Sequence, residues 1–428
     1  PYSLPITMKK FIKIFFIGFS ALLNAQNSIS GTSTDNKNQP LKGLEISVPE
    51  IHIETSSDEN GKYILANLPG GNNRIVFSLV GFKTLNKSIK IEPQKESILN
   101  VTLEEAVFQM DEVIVSTAFN KIQSQNVMKV EHESIKSLQQ KGTSTLIEGL
   151  ATIPGVAQIS TGTSIGKPVI RGLSGNRVLV YSQGVRMENQ QFGDEHGLGL
   201  NDSGVESVEV IKGPASLLYG SDALGGVLYF NPEKFAKANT FQGNFNQKSF
   251  SNTLGSNSSF GLKTSTENWK YLIRGGYNTH SDYKIPNGNR VTNTRYNETD
   301  FKTGIGYGNA KFSSVLRYNF NKLDIGMPDN GIAEQTISKK TEFPKQGIYN
   351  NLLSSNNVFF FKNSKLDVDL GYIANDRSEF KDSDIAVLHM KLKTFNYDAK
   401  FHLPQIGKVE NIVGVQGMHQ TNKNSGQE

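Results

Sequence analysis

The stretch Val208-Glu-Val-Ile-Lys-Gly-Pro-Ala-Ser-Leu-Leu-Tyr-Gly-Ser-Asp-Ala-Leu-Gly-Gly-Val-Leu-Tyr-Phe230 decides how the middle of this chain folds. Its opening residues complete a β-prone run, Val205-Glu-Ser-Val-Glu-Val-Ile211. Pro214 fixes a turn after Gly213, and Gly220, Gly225 and Gly226 permit tight turns and close strand approach. Upstream, Arg177-Val-Leu-Val-Tyr181 reads as a strand, and Val169-Ile170-Arg171 reads as extended. Thr145-Leu-Ile-Glu-Gly-Leu150 reads as a helix that Pro154-Gly155 stops. Residues 107–237 are therefore expected to form a compact mixed α/β unit. Two strings in it imitate catalytic motifs. Gly162-Thr-Ser164-Ile-Gly166 has the spacing of a serine-hydrolase elbow, but that elbow needs a helix after it, and Pro168 follows instead. Gly162 to Lys167 also imitates a phosphate loop, with three residues between its glycines where four are needed. Both read as a flexible Gly/Ser/Thr loop.

The flanks differ from this unit. Residues 28–104 carry short β-runs with turns, such as Asp58-Glu-Asn-Gly61 between Ile51-His-Ile53 and Tyr63-Ile-Leu65. Arg74 to Val80 reads as a buried strand, and the whole as a small β-sandwich. From residue 239 to 428 the alternation lengthens. Trp269, Tyr271, Ile273 and Tyr277 share one face, as do Phe301, Thr303, Ile305 and Tyr307. Phe312, Leu316, Tyr318 and Phe320 repeat the pattern, and so do Leu366, Val368, Leu370 and Tyr372. There are about nine candidate strands, and several reach the roughly 9–11 residues that cross a bilayer at a tilt, which favours a transmembrane barrel. A soluble sandwich, whose strands also alternate, is the alternative.

Residues 8–25 have the plan of a secretory signal peptide: Met8-Lys-Lys10, a short apolar run, then Asn24-Ala25 before Gln26. Pro1 to Thr7 read as upstream translated sequence. The chain has 428 residues and a formal charge of +5; losing Lys9, Lys10 and Lys13 with the leader brings it to +2. Near-neutrality argues against a nucleic-acid partner. With no cysteine, disulfides and cysteine nucleophiles are excluded.

The Val208–Phe230 string, with Ile170-Arg171-Gly172 upstream, resembles the plug of TonB-dependent outer-membrane receptors. Arg171, Gly172, Gly213, Pro214, Gly220, Gly225 and Gly226 are the motif positions, and the resemblance implies a scaffolding role for them. It also implies that the plug sits inside a 22-stranded barrel. The segment 28–104 resembles the carboxypeptidase-regulatory-like domain found before many Bacteroidetes receptors, on Pro40-Leu-Lys-Gly-Leu-Glu-Ile46, Asn67-Leu-Pro-Gly70 and Ser78-Leu-Val-Gly-Phe82. Asp111, Glu112, Val113, Ile114, Val115, Ser116, Thr117 and Ala118 resemble the TonB box, which a periplasmic TonB-type energising protein grips. A short β-prone stretch suits strand addition to a partner's sheet edge; the alternative is that it forms the first plug strand.

The implied fold class is mainly β: a small sandwich, a mixed α/β plug and the first part of a large antiparallel transmembrane barrel. The implied place is the outer membrane of a Gram-negative, Bacteroidetes-like bacterium, in contact with lipid. Nine strands are under half of 22, and an unfinished barrel would leave unpaired edges in lipid, so a receptor fragment is expected. The implied activity is active uptake of a scarce nutrient. Gly184 to Asp202 is similar to plugs of zinc-uptake receptors, and Asp194, Glu195 and His196 offer oxygen and imidazole ligands to a metal. The alternative for them is a polar loop packed on the wall. His280-Ser-Asp282 is a second candidate pair, and Phe380-Lys-Asp-Ser-Asp384 stands where zinc receptors often carry a His/Asp-rich loop. Zinc or an iron chelate would be cargo, and no cofactor of the protein's own is expected. A siderophore or haem receptor, or a barrel that binds without transport, remain alternatives. No Ser/His/acid set is recognisable, so no enzyme is expected.

Overall fold

The computed structural model describes residues 27–51, 53–92, 97–105, 114–116, 130–188, 193, 195–328, 331–361, 363–404, 406 and 409–426. The signal-peptide reading of 8–25 lies outside them. The first unit holds β1 (Ile29–Asp35), β2 (Glu45–Val48), β3 (Ile53–Ser56), β4 (Lys62–Leu65), β5 (Gly71–Ser78), β6 (Leu85–Ile91), β7 (Ser97–Ile98) and β8 (Val101–Leu103). One sheet has the order β4-β1-β7, with β8 also on β1; the other runs β3-β2-β5-β6. Period-two alternation turns Ile29, Ile46, Leu65, Ile75, Phe77 and Leu103 into one buried core between them. The turn at Asp58 to Gly61 forms as expected, but it carries the chain from one sheet to the other. The strand read from Arg74 to Val80 starts at Gly71 and ends at Ser78, and Val80 points to solvent.

The plug is built on β9 (Val130–Ser134), β10 (Val156–Ser160), β11 (Gly166–Ile170), β12 (Val178–Ser182), β13 (Val185–Met187), β14 (Val205–Ile211) and β15 (Gly226–Pro232). Five of these form a sheet in the order β13-β12-β15-β14-β9, and β10 and β11 form a hairpin. Helices α1 (Ile135–Gln140) and α2 (Leu146–Leu150) cover the sheet through Leu138, Ile147 and Leu150. Gly166 opens a strand rather than a helix, so the elbow-like string lacks its required context.

The third unit is one antiparallel sheet of nine strands in chain order: β16 (Thr240–Phe250), β17 (Gly255–Ser265), β18 (Trp269–His280), β19 (Tyr296–Gly308), β20 (Phe312–Gly326), β21 (Lys345–Phe360), β22 (Lys365–Phe380), β23 (Leu388–His402) and β24 (Ile412–Ser425). Each strand has 11 to 16 residues, enough to cross a bilayer. Trp269, Tyr271, Ile273, Phe301, Ile305, Leu316, Leu370 and Tyr372 are on the exposed face. Lys270, Arg274, Lys302, Asn321, Asn350 and Asn375 are on the covered one. Apolar residues outside and charged residues inside are the reverse of a soluble sandwich and the pattern of a membrane barrel wall. Leu352 and Ile373 join the plug core from the wall. Among the described residues β16 and β24 each pair on one side only.

The two ends of the wall differ. Connections 266–268, 309–311 and 361–364 are short, and 281–295 and 327–344 at the other end are long. The sandwich meets the short-turn end: Asn67 Nδ2 donates to the Glu267 carbonyl at 3.3 Å.

Candidate functional site

Between β13 and β14 the chain leaves the sheet and passes the wall at its long-loop end. The loop is pinned at both sides. The Leu198 N–H donates to the Gly166 carbonyl at 2.9 Å, and the Lys167 ammonium donates to the Gly193 carbonyl. Further on, Asn201 Nδ2 donates to Asp300 on β19 at 2.9 Å, while Lys302 Nζ donates to Asn201 Oδ1 at 3.1 Å. Asp202 takes Gln139 Nε2 and the Lys248 ammonium, each at 2.8 Å. These bonds fix the loop against β16 and β19, so it is part of the plug–wall seam.

At the head of this loop stand Glu195 and His196. His196 is only 3% exposed, and its Nε2 lies 3.0 Å from Oε1 of Glu379, near the end of β22. One ligand atom from each of Glu195, His196 and Glu379 falls within 4.8 Å of the others. Two carboxylates and an imidazole are a donor set for a divalent first-row ion, and a small closure would bring them to one centre. An irregular loop lets adjacent residues converge where a strand would point them apart. Asp194 lies outside the described residues. Glu379 carries no signal of its own in the sequence, although it adjoins the Phe380–Asp384 loop. In that loop Asp384 pairs with Lys345 at 3.1 Å.

The second candidate pair is corrected. His280 is consumed by Thr253 and Asn257, each at 2.7 Å. Asp282 grips the Arg295 guanidinium through both oxygens, at 3.0 and 2.7 Å, with both side chains fully buried. They brace the long loops and do not converge.

Of the expected partner-gripped segment, Ile114, Val115 and Ser116 are described; Asp111 to Val113, Thr117 and Ala118 lie outside. The three residues are not a strand. β9, which begins at Val130, takes the sheet edge beside β14 instead. Ile114 is buried among Leu179, Ile211, Ala223 and Val227. The N–H groups of Val115 and Ser116 donate to the two oxygens of Glu209, at 3.0 and 2.8 Å. Tyr219 Oη donates to the Ser116 carbonyl at 2.6 Å, and burial holds its phenol well above the ordinary range, so it stays a donor.

The motif positions come together around this sheet. Arg171 adopts a left-handed φ of 53° and Gly172 one of 77°, turning the chain out of β11. The Arg171 guanidinium then lies over Gly213, 3.6 Å from where a methyl there would sit. Pro214 lies in the first turn of a 3-10 segment, Gly213–Tyr219, which ends at Gly220 with φ 101°. The Gly225 N–H bonds the Arg177 carbonyl at 2.8 Å, and Gly226 starts β15.

Two family descriptions match the chain: CarboxypepD_reg-like domain over residues 29–115 and TonB-dependent Receptor Plug Domain over 121–227. The vitamin B12 transporter BtuB of Vibrio vulnificus is 32% identical over 126 residues, 28% of this chain and 20% of that protein. Heme/hemopexin utilization protein C of Haemophilus influenzae is 42% identical over 99 residues, 23% of this chain and 14% of that protein. A TonB-dependent receptor of Formosa agariphila is 24% identical over 214 residues, 48% of this chain and 20% of that protein. The chain thus spans a fifth or less of these curated relatives. In fold it is similar to the siderophore receptor PirA from Acinetobacter baumannii. The TM-score is 0.56 at 15% identity, over 72% of this chain and 50% of that one. In order, the chain thus carries a CarboxypepD_reg-like domain, a TonB-dependent receptor plug domain and a sheet of membrane-length strands.

Proposed function

We propose that this chain serves energy-coupled nutrient uptake across a Gram-negative outer membrane, with a metal ion or metal chelate as cargo. The observation that carries the cargo class is the meeting of Glu195 and His196, on the plug, with Glu379, on the wall. Cargo held there touches both bodies that must part for passage. The relatives named for vitamin B12 and for haem, and the solved siderophore receptor, support nutrient uptake as the activity. A TonB-type periplasmic protein would supply the energy by gripping residues 111–118, with lipid around the wall. No bond chemistry is assigned to the receptor.

The test is calorimetric titration of the full chain with zinc chloride alone, beside His196→Ala and Glu379→Gln. Loss of one ligand should weaken binding by roughly tenfold or more. Unchanged affinity in both variants would sink the metal-ion reading. One observation favours a chelate as the second reading. Arg377 is buried on β22 within electrostatic reach of Glu379 and Glu195, and its guanidinium suits an anionic group better than a bare cation.

A further inference from the structure

The segment 114–116 is held in an unusual way for a β-prone stretch beside a sheet. Among the described residues no strand is paired with it. The Val115 and Ser116 N–H groups both point at one carboxylate, Glu209, which is 0% exposed in the middle of β14. Glu209 has one further donor, Asn231 Nδ2 at 2.7 Å from Oε1. Across the ladder it is flanked by His132 on β9 and Tyr229 on β15, and burial pushes the His132 imidazole down, toward the neutral form. Among the described residues the hydrogen-bond donors to Glu209 are two backbone N–H groups and an amide, not a lysine or arginine. Of its three donors among the described residues, the carboxylate takes two from the segment. The segment in turn depends on the carboxylate for both described N–H bonds, and on Tyr219 for its Ser116 carbonyl bond. Charge-assisted bonds of this kind are the strong ones, and a buried acceptor that loses its donors is penalised.

We propose that Glu209 is the catch that holds residues 114–116 to the plug, and that neutralising it frees the segment to pair with a partner's sheet edge. The proposal rests on the reading of residues 111–118 as the partner-gripped segment. Side-chain fixing suits that task. A segment zipped into a ladder would have to break a bond at nearly every residue, whereas here one carboxylate takes two of the segment's N–H groups. Once freed, the segment's backbone is available for strand addition. Residues 195–209 also run without interruption from the His196 loop into the strand that carries the catch.

The absence of cysteine makes the test clean. Ser116 is 5% exposed, so Ser116→Cys places one thiol in the closed pocket with its backbone N–H retained. The maleimide labelling rate of that thiol is measured in the full chain, alone and with Glu209→Gln, Tyr219→Phe or Glu206→Gln. Gln keeps one acceptor but turns an amide donor toward the second N–H, so labelling should rise about tenfold or more. Tyr219→Phe removes one bond and should raise it several-fold. Glu206, exposed on the same strand, should change nothing. Amide exchange of β14 and β15 shows whether the plug stays folded. Equal labelling in Glu209→Gln with those amides still protected overturns the catch. If Glu209→Gln unfolds the plug, Tyr219→Phe decides: no rise there also overturns it. A purified TonB-type periplasmic domain is then added. Faster labelling with tighter capture supports both the catch and the reading beneath it. Faster labelling without tighter capture keeps the catch and removes the partner-segment reading.

Discussion

At Gly226 one hydrogen atom decides whether the plug sheet closes. Its φ is 148°, and a methyl there would lie 2.6 Å from the Ile211 carbonyl oxygen. The contact is to backbone of the neighbouring strand β14, so no side chain can swing away. Gly226→Ala should lower plug stability by roughly 1–3 kcal/mol, read as an earlier urea midpoint. The neighbouring residue types show what sequence can and cannot say at this scale. The glycines and Pro214 were legible because their backbone demands are local. Glu379 was not. On β22 it is one acidic residue among several, and nothing within its own strand says that it faces a histidine 183 positions earlier.

Among the elements, α2 shows how a five-residue helix survives beside a sheet. Thr145 Oγ1 accepts the Glu148 N–H at 3.4 Å, a long bond. The Glu148 carboxylate accepts more: the Ser144 N–H and hydroxyl at 2.8 Å each, and the Thr145 N–H at 3.3 Å. The carboxylate is the stronger half of this capping box. Thr145→Ala should cost about 1 kcal/mol. Glu148→Ala should cost about 2 kcal/mol, since charge-assisted bonds are lost. Equal losses in denaturant melts would show that the two halves are equivalent. This helix was readable because capping box and apolar spacing lie within one turn. Which segment lies beside β14 was not readable, because edge pairing joins segments far apart in the chain. β9 takes that edge in register Val130 to Ser134 against Ile211 to Ser207.

For the whole molecule, the sandwich is joined to the rest by ion pairs and one apolar contact. Glu50 meets Lys365 at 3.4 Å, Glu45 meets Lys234 at 3.3 Å, and Phe360 packs on the sandwich core. Lys365 stands at the start of β22, so these contacts hold the domain across the short-turn end of the wall. Lys365→Glu should raise amide exchange over 45–50 and 363–367 several-fold. Combining it with Glu50→Lys should restore protection. No rise in the single variant would mean that Phe360, Glu45–Lys234 and Asn67–Glu267 hold the domain without it. Docking of this kind left no trace in the sequence, because surface charges are common and their partners belong to another domain.

The sequence by itself determined the elements and the faces of this protein. Period-two alternation over long runs set the wall strands and sent aromatics outward. Short β-runs with turns set the sandwich, and glycine spacing set the plug turns. All of these follow from neighbours a few positions apart, where backbone preference and burial act directly. The tertiary structure decided what meets what: His196 with Glu379, the segment 114–116 with Glu209, His280 with Thr253 and Asn257, the sandwich with Lys365. Each pairing joins residues far apart in the chain. Strand register and the seating of the plug against the wall set their distance, and no local preference encodes either.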